Sequence, residues 1–239
     1  GKPVYGVYST FVQRTYDQLQ QDLCINNNPI TILTFAASVW GMNDVTHLGI
    51  YDIPMMSNIP NLVYLAPTTY EEYIAMLDWS TEQREHPVAI RVPGAVIHGE
   101  KPTKDYGILN KYETVQKGSG AAIIALGTFF GMGKQAAELI EKKTGVKPTL
   151  INPVYITGID EELLESLKKD HKAVITLEDG ILDGGFGEKI ARFYGDSDMR
   201  TVNFGLKKEF LDRYDANEVL RQNGITPEQI ADRAAELIK

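Results

Sequence analysis

Short apolar runs alternate with longer amphipathic ones along most of the chain. Residues 4–8, 30–35, 62–66 and 88–92 predict four strands. The second is unbroken by charge, as in a strand covered on both faces. Between the first two, Val12, Tyr16, Leu19 and Leu23 recur at three- and four-residue spacing. That period predicts a helix starting at Thr10, with Gln13 in capping-box position. Thr69 and Glu72 predict the start of a second helix running to about Gln83. Residues 36–61 have no clean period and carry Gly41, Gly49, Pro54 and Pro60. From Pro93 to Gly120 the alternation stops among Pro93, Gly94, Gly99, Pro102, Gly107 and Gly118, which predicts a linker. It then resumes, with strands at 121–126, 148–152, 173–177 and 199–203 and helices near 131–145, 160–169 and 187–194. Thr226-Pro227-Glu228-Gln229 opens a terminal helix, with proline preset for its first turn.

Alternating strands and helices predict an α/β protein with two domains, each a mostly parallel sheet covered by helices. The expected boundaries are 1–93 and 119–239, joined by a linker over 94–118. The first domain reads as incomplete, because its opening strand needs neighbours and an open edge invites pairing.

Composition narrows the function. The 239 residues are 43% hydrophobic, enough for a core and too many for a disordered chain. With 24 Lys+Arg against 32 Asp+Glu, the net charge is −8 and no basic cluster forms, which argues against nucleic acid or an anionic membrane as partner. Cys24 alone cannot close an internal disulfide, and residues 121–126 form the longest apolar run, too short to span a bilayer. The expectation is a cytoplasmic protein acting on small molecules.

Glycine-rich segments attract attention without carrying chemistry. Gly127-Thr-Phe-Phe-Gly131-Met-Gly133-Lys134 matches neither a phosphate loop nor a dinucleotide fingerprint, and reads as a strand-to-helix turn. Glu178-Asp179-Gly180 and Gly184-Gly185-Phe186-Gly187 read as tight turning at a strand end. No metal ligands are expected. His47, in Asp44-Val-Thr-His47-Leu-Gly49, is by itself an ordinary loop histidine. Tyr8, Phe11 and Arg14 lie at the first strand-to-helix junction, where open α/β sheets bind ligands.

Together these pieces are more specific. Tyr8-Ser-Thr-Phe11-Val-Gln13-Arg14-Thr-Tyr16-Asp17-Gln18 resembles the Y-S-T-F-x-Q-R-x-Y-D-Q segment of thiamine-diphosphate enzymes of the transketolase group, nearest to the deoxyxylulose-phosphate synthases. Thr46-His47-x-Gly49 with Asp52, Ile59-Pro60-Asn61, Ala66-Pro67, and Glu178-Asp179-Gly180 with Gly184-Gly185-Phe186-Gly187 are similar to later segments of that group, in order along the whole chain. The resemblance implies a pyrimidine-binding domain followed by a transketolase C-terminal domain. It also implies thiamine diphosphate with Mg2+, a homodimer with its site between subunits, and transfer of a carbanion derived from a ketol or 2-oxo acid. Phe11 would stack on the aminopyrimidine, Arg14 would sit at its edge and Tyr8 would line the cavity. His47 would hydrogen-bond the substrate oxygen that changes charge. Asn43, at the position of a loop aspartate, and Arg91, the arginine kept from an R-Y-P-R-G segment, would bind substrate.

Two departures matter. The group carries its cofactor-activating glutamate and its diphosphate- and metal-binding domain upstream of these segments. The resemblance therefore implies the C-terminal section of a longer or split enzyme, inactive alone, with an N-terminal section as partner. Residues 34–38 replace a D-R-A-G segment, and Gly94 stands where a second arginine is usual. Loss of two arginines suited to clamping phosphate implies a different, non-phosphorylated acceptor. The alternatives are the β chain of a 2-oxo-acid dehydrogenase and a non-catalytic assembly module.

Overall fold

The computed structural model describes residues 1–238. Lys239, the last residue of the expected second domain, lies outside the described residues. Two sheets carry the chain. The first has the order β1 (Val4–Tyr8), β2 (Thr31–Phe35), β4 (Val88–Arg91), β3 (Val63–Leu65), and every pairing is parallel. The second has the order β5 (Glu113–Gln116), β7 (Thr149–Asn152), β6 (Gly120–Ala125), β8 (His171–Ile181), β9 (Arg200–Leu206). Only β5 among these runs antiparallel, beside β7. The expected α/β architecture with two mostly parallel sheets is what the chain adopts.

Central strands are buried throughout, as parallel strands covered on both faces must be. Ile32, Tyr64 and Ala89 share one apolar cluster with Ala122, Ile124 and Val174, so the core runs from one sheet into the other. A second cluster sets Ile123, Ile175 and Leu177 against Ala136 and Ile140 of α4 (Phe130–Thr144) and Ala234 of α8 (Pro227–Ile238). Backbone bonds also cross between the sheets: Ala66 N donates to Val154 O (2.8 Å), and Ile156 N donates to Tyr64 O (2.8 Å).

β1 is different. Among the described residues it pairs with β2 alone, and Val4 and Tyr5, on opposite faces of the strand, are 50% and 39% exposed.

Local differences from the sequence reading have identifiable causes. The first helix is irregular, with a 3₁₀ turn (Val12–Thr15), α1 (Tyr16–Gln18) and a π segment (Leu19–Cys24). Thr10 does not cap it, because its hydroxyl donates instead to Thr46 O (3.3 Å) across the molecule. α2 (Asp52–Met56) interrupts the aperiodic stretch, and α3 (Tyr70–Glu82) begins where Thr69 accepts the Glu72 N–H, as its spacing predicts. β5 falls inside the predicted linker and edges the second sheet. β8 continues past Leu177 through Glu178 and Asp179, so the acid pair lies within a strand and the turn follows at Gly184 and Gly185. α5 (Glu161–Leu167) and α6 (Phe186–Phe193) agree with expectation, whereas α7 (Ala216–Gln222), capped by Asp215, was not signalled by period.

Candidate functional site

Parallel sheets present ligands to the carboxyl ends of their strands, and β1 ends at Tyr8. Phe11 N donates to Tyr8 O (2.8 Å) and Arg14 N to Phe11 O (3.1 Å), a tight turn that throws three side chains out together. Tyr8 and Phe11 have ring centroids 6.1 Å apart, and the Arg14 guanidinium carbon lies 5.5 Å from the Phe11 centroid. Tyr8 is exposed and Phe11 half-buried, so the cluster opens to solvent.

The aperiodic loop after β2 brings in the fourth member. Ser38 N donates to Gly49 O (2.7 Å), pinching the loop at its base, and Ser9 Oγ donates to Ala36 O (3.2 Å). A Cβ at Gly49 would lie 2.0 Å from Ala36 O and 2.6 Å from Ser9 Oγ, so only glycine permits this approach. The loop thereby sets the His47 ring edge-on to Phe11, with centroids 5.1 Å apart at 76°. His47 Nδ1 lies 2.9 Å from Thr46 Oγ1 and 3.4 Å from Asp44 Oδ1. Asp44 also accepts the Thr46 hydroxyl and amide; these bonds and the neighbouring imidazole hold its carboxyl below the usual range. Nε2 of His47 has no hydrogen-bond partner among the described residues and is the ring nitrogen left to meet a ligand.

A strap from the second domain braces this loop. Tyr214 Oη donates to Val39 O (2.9 Å) and lies 3.2 Å from Met42 O; Arg213 N donates to Asn43 O (2.6 Å); Val45 N donates to Asp212 Oδ1 (3.3 Å). Asn43, read from the resemblance as substrate-binding, lies on this braced loop. Its side chain donates to Tyr214 O (3.4 Å) and so joins the bracing contacts.

Arg91 is engaged within the chain as well. It is 5% exposed, and Nε and Nη2 both reach Asp52 (2.8 and 3.2 Å) while Nη1 donates to Asp179. A fork occupied by two carboxylates has no face to offer a substrate phosphate. Burial alone would lower its pKa, but Asp179 and Asp52 hold it well above the ordinary arginine value. Tyr64 donates its hydroxyl to Asp52, and Thr128 Oγ1 donates to Asp179 Oδ2 (2.6 Å). Next to Asp179, Glu178 accepts the Phe186 and Gly187 N–H groups (both 2.8 Å) at the start of α6. Burial nonetheless pushes its carboxyl up to about 7, against those two bonds.

Of the residues singled out in the sequence, the structure thus gathers Tyr8, Phe11, Arg14 and His47, and separates Asn43 and Arg91 into structural contacts. Asp44 and Thr46 were missed, although an acid three residues before a loop histidine is a readable signal. Tyr214 had none, since its contact spans more than 170 positions. Among the described residues no group of three His, Cys, Asp or Glu side chains is placed to hold a metal ion, and no helix is long and apolar enough to cross a membrane.

Comparison with known proteins identifies both domains. A model of the transketolase pyrimidine-binding domain matches residues 1–96, and one of the transketolase C-terminal domain matches residues 110–230. The 1-deoxy-D-xylulose-5-phosphate synthase of Clostridium perfringens is 35% identical over 243 residues, covering 99% of this chain and 39% of that protein. The synthase of Clostridium tetani is 34% identical over 240 residues, covering 99% and 38%. The chain thus spans about 39% of the length of such relatives. Among solved structures, a split-gene transketolase in an inactive β4 tetramer superposes with a TM-score of 0.83 at 20% identity, covering 99% of this chain and 77% of that one. Transketolase of Pichia stipitis, in complex with sedoheptulose 7-phosphate, gives 0.77 at 18%, covering 98% and 34%. At those identities the structural likeness concerns the fold alone. The matched domains, their order and the synthase-like sequence over almost the whole chain agree, and the chain belongs to the transketolase family.

Proposed function

We propose that this chain supplies the pyrimidine-recognition side of a thiamine-diphosphate-dependent transferase that makes or breaks a carbon–carbon bond next to a carbonyl. The observation that carries the reading is the convergence of Phe11, Arg14 and His47 at the carboxyl end of β1, with centroid distances of 5.1 and 5.5 Å around Phe11. A half-buried aromatic ring with a guanidinium over it and an imidazole edge-on to it suits a flat heterocycle. When bound, thiamine diphosphate supplies the electron sink for the bond cleavage.

Four residues of this chain have roles in that reading. Phe11 would stack on the pyrimidine and Arg14 would close its edge. Tyr8 walls the reaction space. His47, steered through Nδ1 by Thr46 and Asp44, presents Nε2 to donate a proton to the carbonyl oxygen as charge develops there, and to take it back. The diphosphate and its Mg2+ are held by a section outside this chain, in the same polypeptide or a separate one, within an oligomer. A split-gene relative with the same fold and a coverage of 39% of the synthases support that arrangement.

The test uses the assembled enzyme that contains this chain. His47→Ala lowers kcat about 10²–10⁴-fold and leaves cofactor affinity unchanged. Phe11→Ala weakens cofactor binding about three- to tenfold, the scale of an aromatic stacking contact. Unaltered turnover and cofactor binding in both variants would sink the reading.

A further inference from the structure

Asp44, Thr46 and His47 are joined by hydrogen bonds in which the place of each proton can be counted. A hydroxyl has one proton to give, and an ionised carboxylate can only accept. Asp44 Oδ1 accepts both the amide (2.8 Å) and the hydroxyl of Thr46. With its carboxyl held below the usual range, Asp44 is ionised at neutral pH. The single Thr46 hydroxyl proton is thereby committed to Asp44, and Thr46 Oγ1 meets His47 Nδ1 at 2.9 Å with lone pairs only. Asp44 Oδ1, 3.4 Å from the same nitrogen, also brings lone pairs. A bare Nδ1 would set its own lone pair against those of two acceptors, whereas Nδ1–H satisfies both.

The charges on neighbouring elements leave this chain of bonds intact. Arg14 lies over the Phe11 ring, and Asp212 of the strap takes the Val45 amide. Among the described residues neither forms a hydrogen bond or ion pair with His47, whose Nδ1 meets only Thr46 and Asp44. The tautomer of a histidine follows from the bond its other nitrogen makes, so these two side chains decide it.

Resting on the proposed carbonyl chemistry, we propose that Asp44 is a positioning residue for that reaction. Acting through Thr46, it keeps a proton on His47 Nδ1 in both charge states of the ring, so Nε2 donates only from the imidazolium and is otherwise a bare acceptor. The neutral ring with its one proton on Nε2, the form a free imidazole favours, is excluded. When Nε2 gives its proton to a carbonyl oxygen, the N–H electron pair stays on Nε2 and an O–H bond forms. The ring charge falls from +1 to 0 with Nδ1–H unbroken. When the proton returns, the cation forms one hydroxyl away from the Asp44 carboxylate, whose charge favours it. One acid thus selects the working nitrogen and supplies the counter-charge for its protonated state.

Nitrogen NMR of the 15N-labelled chain reads the proton directly, because protonated and bare ring nitrogens differ widely in shift. The chain has 4 histidines, and the signals lost in His47→Gln are those of residue 47. At about pH 8.5, well above an ordinary imidazole pKa, His47 should favour Nδ1–H over Nε2–H by about tenfold or more, the scale of one hydrogen bond to a charged group. Asp44→Ala frees the Thr46 hydroxyl to donate to Nδ1, and the preference should reverse. Thr46→Ser, which keeps the hydroxyl, should retain Nδ1–H. A persisting contact between the His47 and Phe11 rings shows that the loop is still in place in each variant. Nε2–H in the unaltered chain, which needs no variant to observe, would overturn the proposal, as would a ratio that Asp44→Ala leaves unchanged in the folded loop. Neither cofactor nor substrate takes part in this measurement. Its failure would leave the proposed function standing, whereas unaltered turnover in His47→Ala would strike that function and leave the proton where NMR finds it.

Discussion

Arg91 of the first sheet donates to Asp179 of the second, and the bond is buried on both sides. With Asp52 on its other edge, the guanidinium is a bolt between the two sheets rather than a hand held out to substrate. Arg91→Ala would leave two carboxylates desolvated without a partner. It is expected to destabilise the chain by about 3–5 kcal/mol, read from chemical denaturation. A loss under about 1 kcal/mol would mean that water reaches the pair and the bolt is loose.

Glu178 predicts a pH dependence. Its folded-state pKa of about 7 lies above the ordinary carboxylate value of 4.5. The folded protein therefore holds this proton more tightly than the unfolded chain does, and the stability gained is complete below about pH 4.5. It is lost as pH rises through about 7, by an amount on the order of a few kcal/mol. Denaturation midpoints between pH 5 and 8 should fall with that slope, and Glu178→Gln should flatten it. A slope unchanged by the substitution would assign the effect to another group.

Gly49 and Gly131 make a matched pair. A methyl group at Gly49 collides with Ala36 O, while at Gly131 in the first turn of α4 it meets nothing within 4 Å. Gly49→Ala should cost more than about 2 kcal/mol and displace the His47 loop. Gly131→Ala should stabilise by about 0.4–1 kcal/mol through the unfolded state. Equal effects would contradict the loop geometry.

Tyr214 gives a test of the strap. Tyr214→Phe keeps the ring and removes the hydroxyl that reaches Val39 O and Met42 O. The cost in stability should be about 1 kcal/mol, while hydrogen exchange of amides 42–47 quickens and the His47 ring resonances shift. Unchanged exchange there would show that the loop needs no brace from the second domain.

Strands and most helices were legible because buried parallel strands are short, apolar and bounded by turn residues. Residues 88–92 and 121–126 could be read with no knowledge of their neighbours. The first helix was only half legible. Its apolar spacing is right, but Thr10, whose position suits a cap, is claimed by Thr46 across the molecule. At the site, Phe11 and Arg14 are three positions apart and their meeting is local, whereas the approach of His47 depends on Gly49 and Ser9 packing at Ala36. The ion pairs of Arg91 were illegible for a related reason. Its sequence neighbourhood has no acid within five positions on either side, and both of its carboxylates arrive through tertiary folding.

The uncovered strand at the start of the first sheet has a practical side. Among the described residues no strand pairs with the outer margin of β1, and Val4 and Tyr5 project from its two faces. Such a margin is adhesive toward any extended backbone, including that of another copy. A strand-forming peptide matched to this margin is therefore expected to add beside β1, which protection of the β1 amides from hydrogen exchange would show.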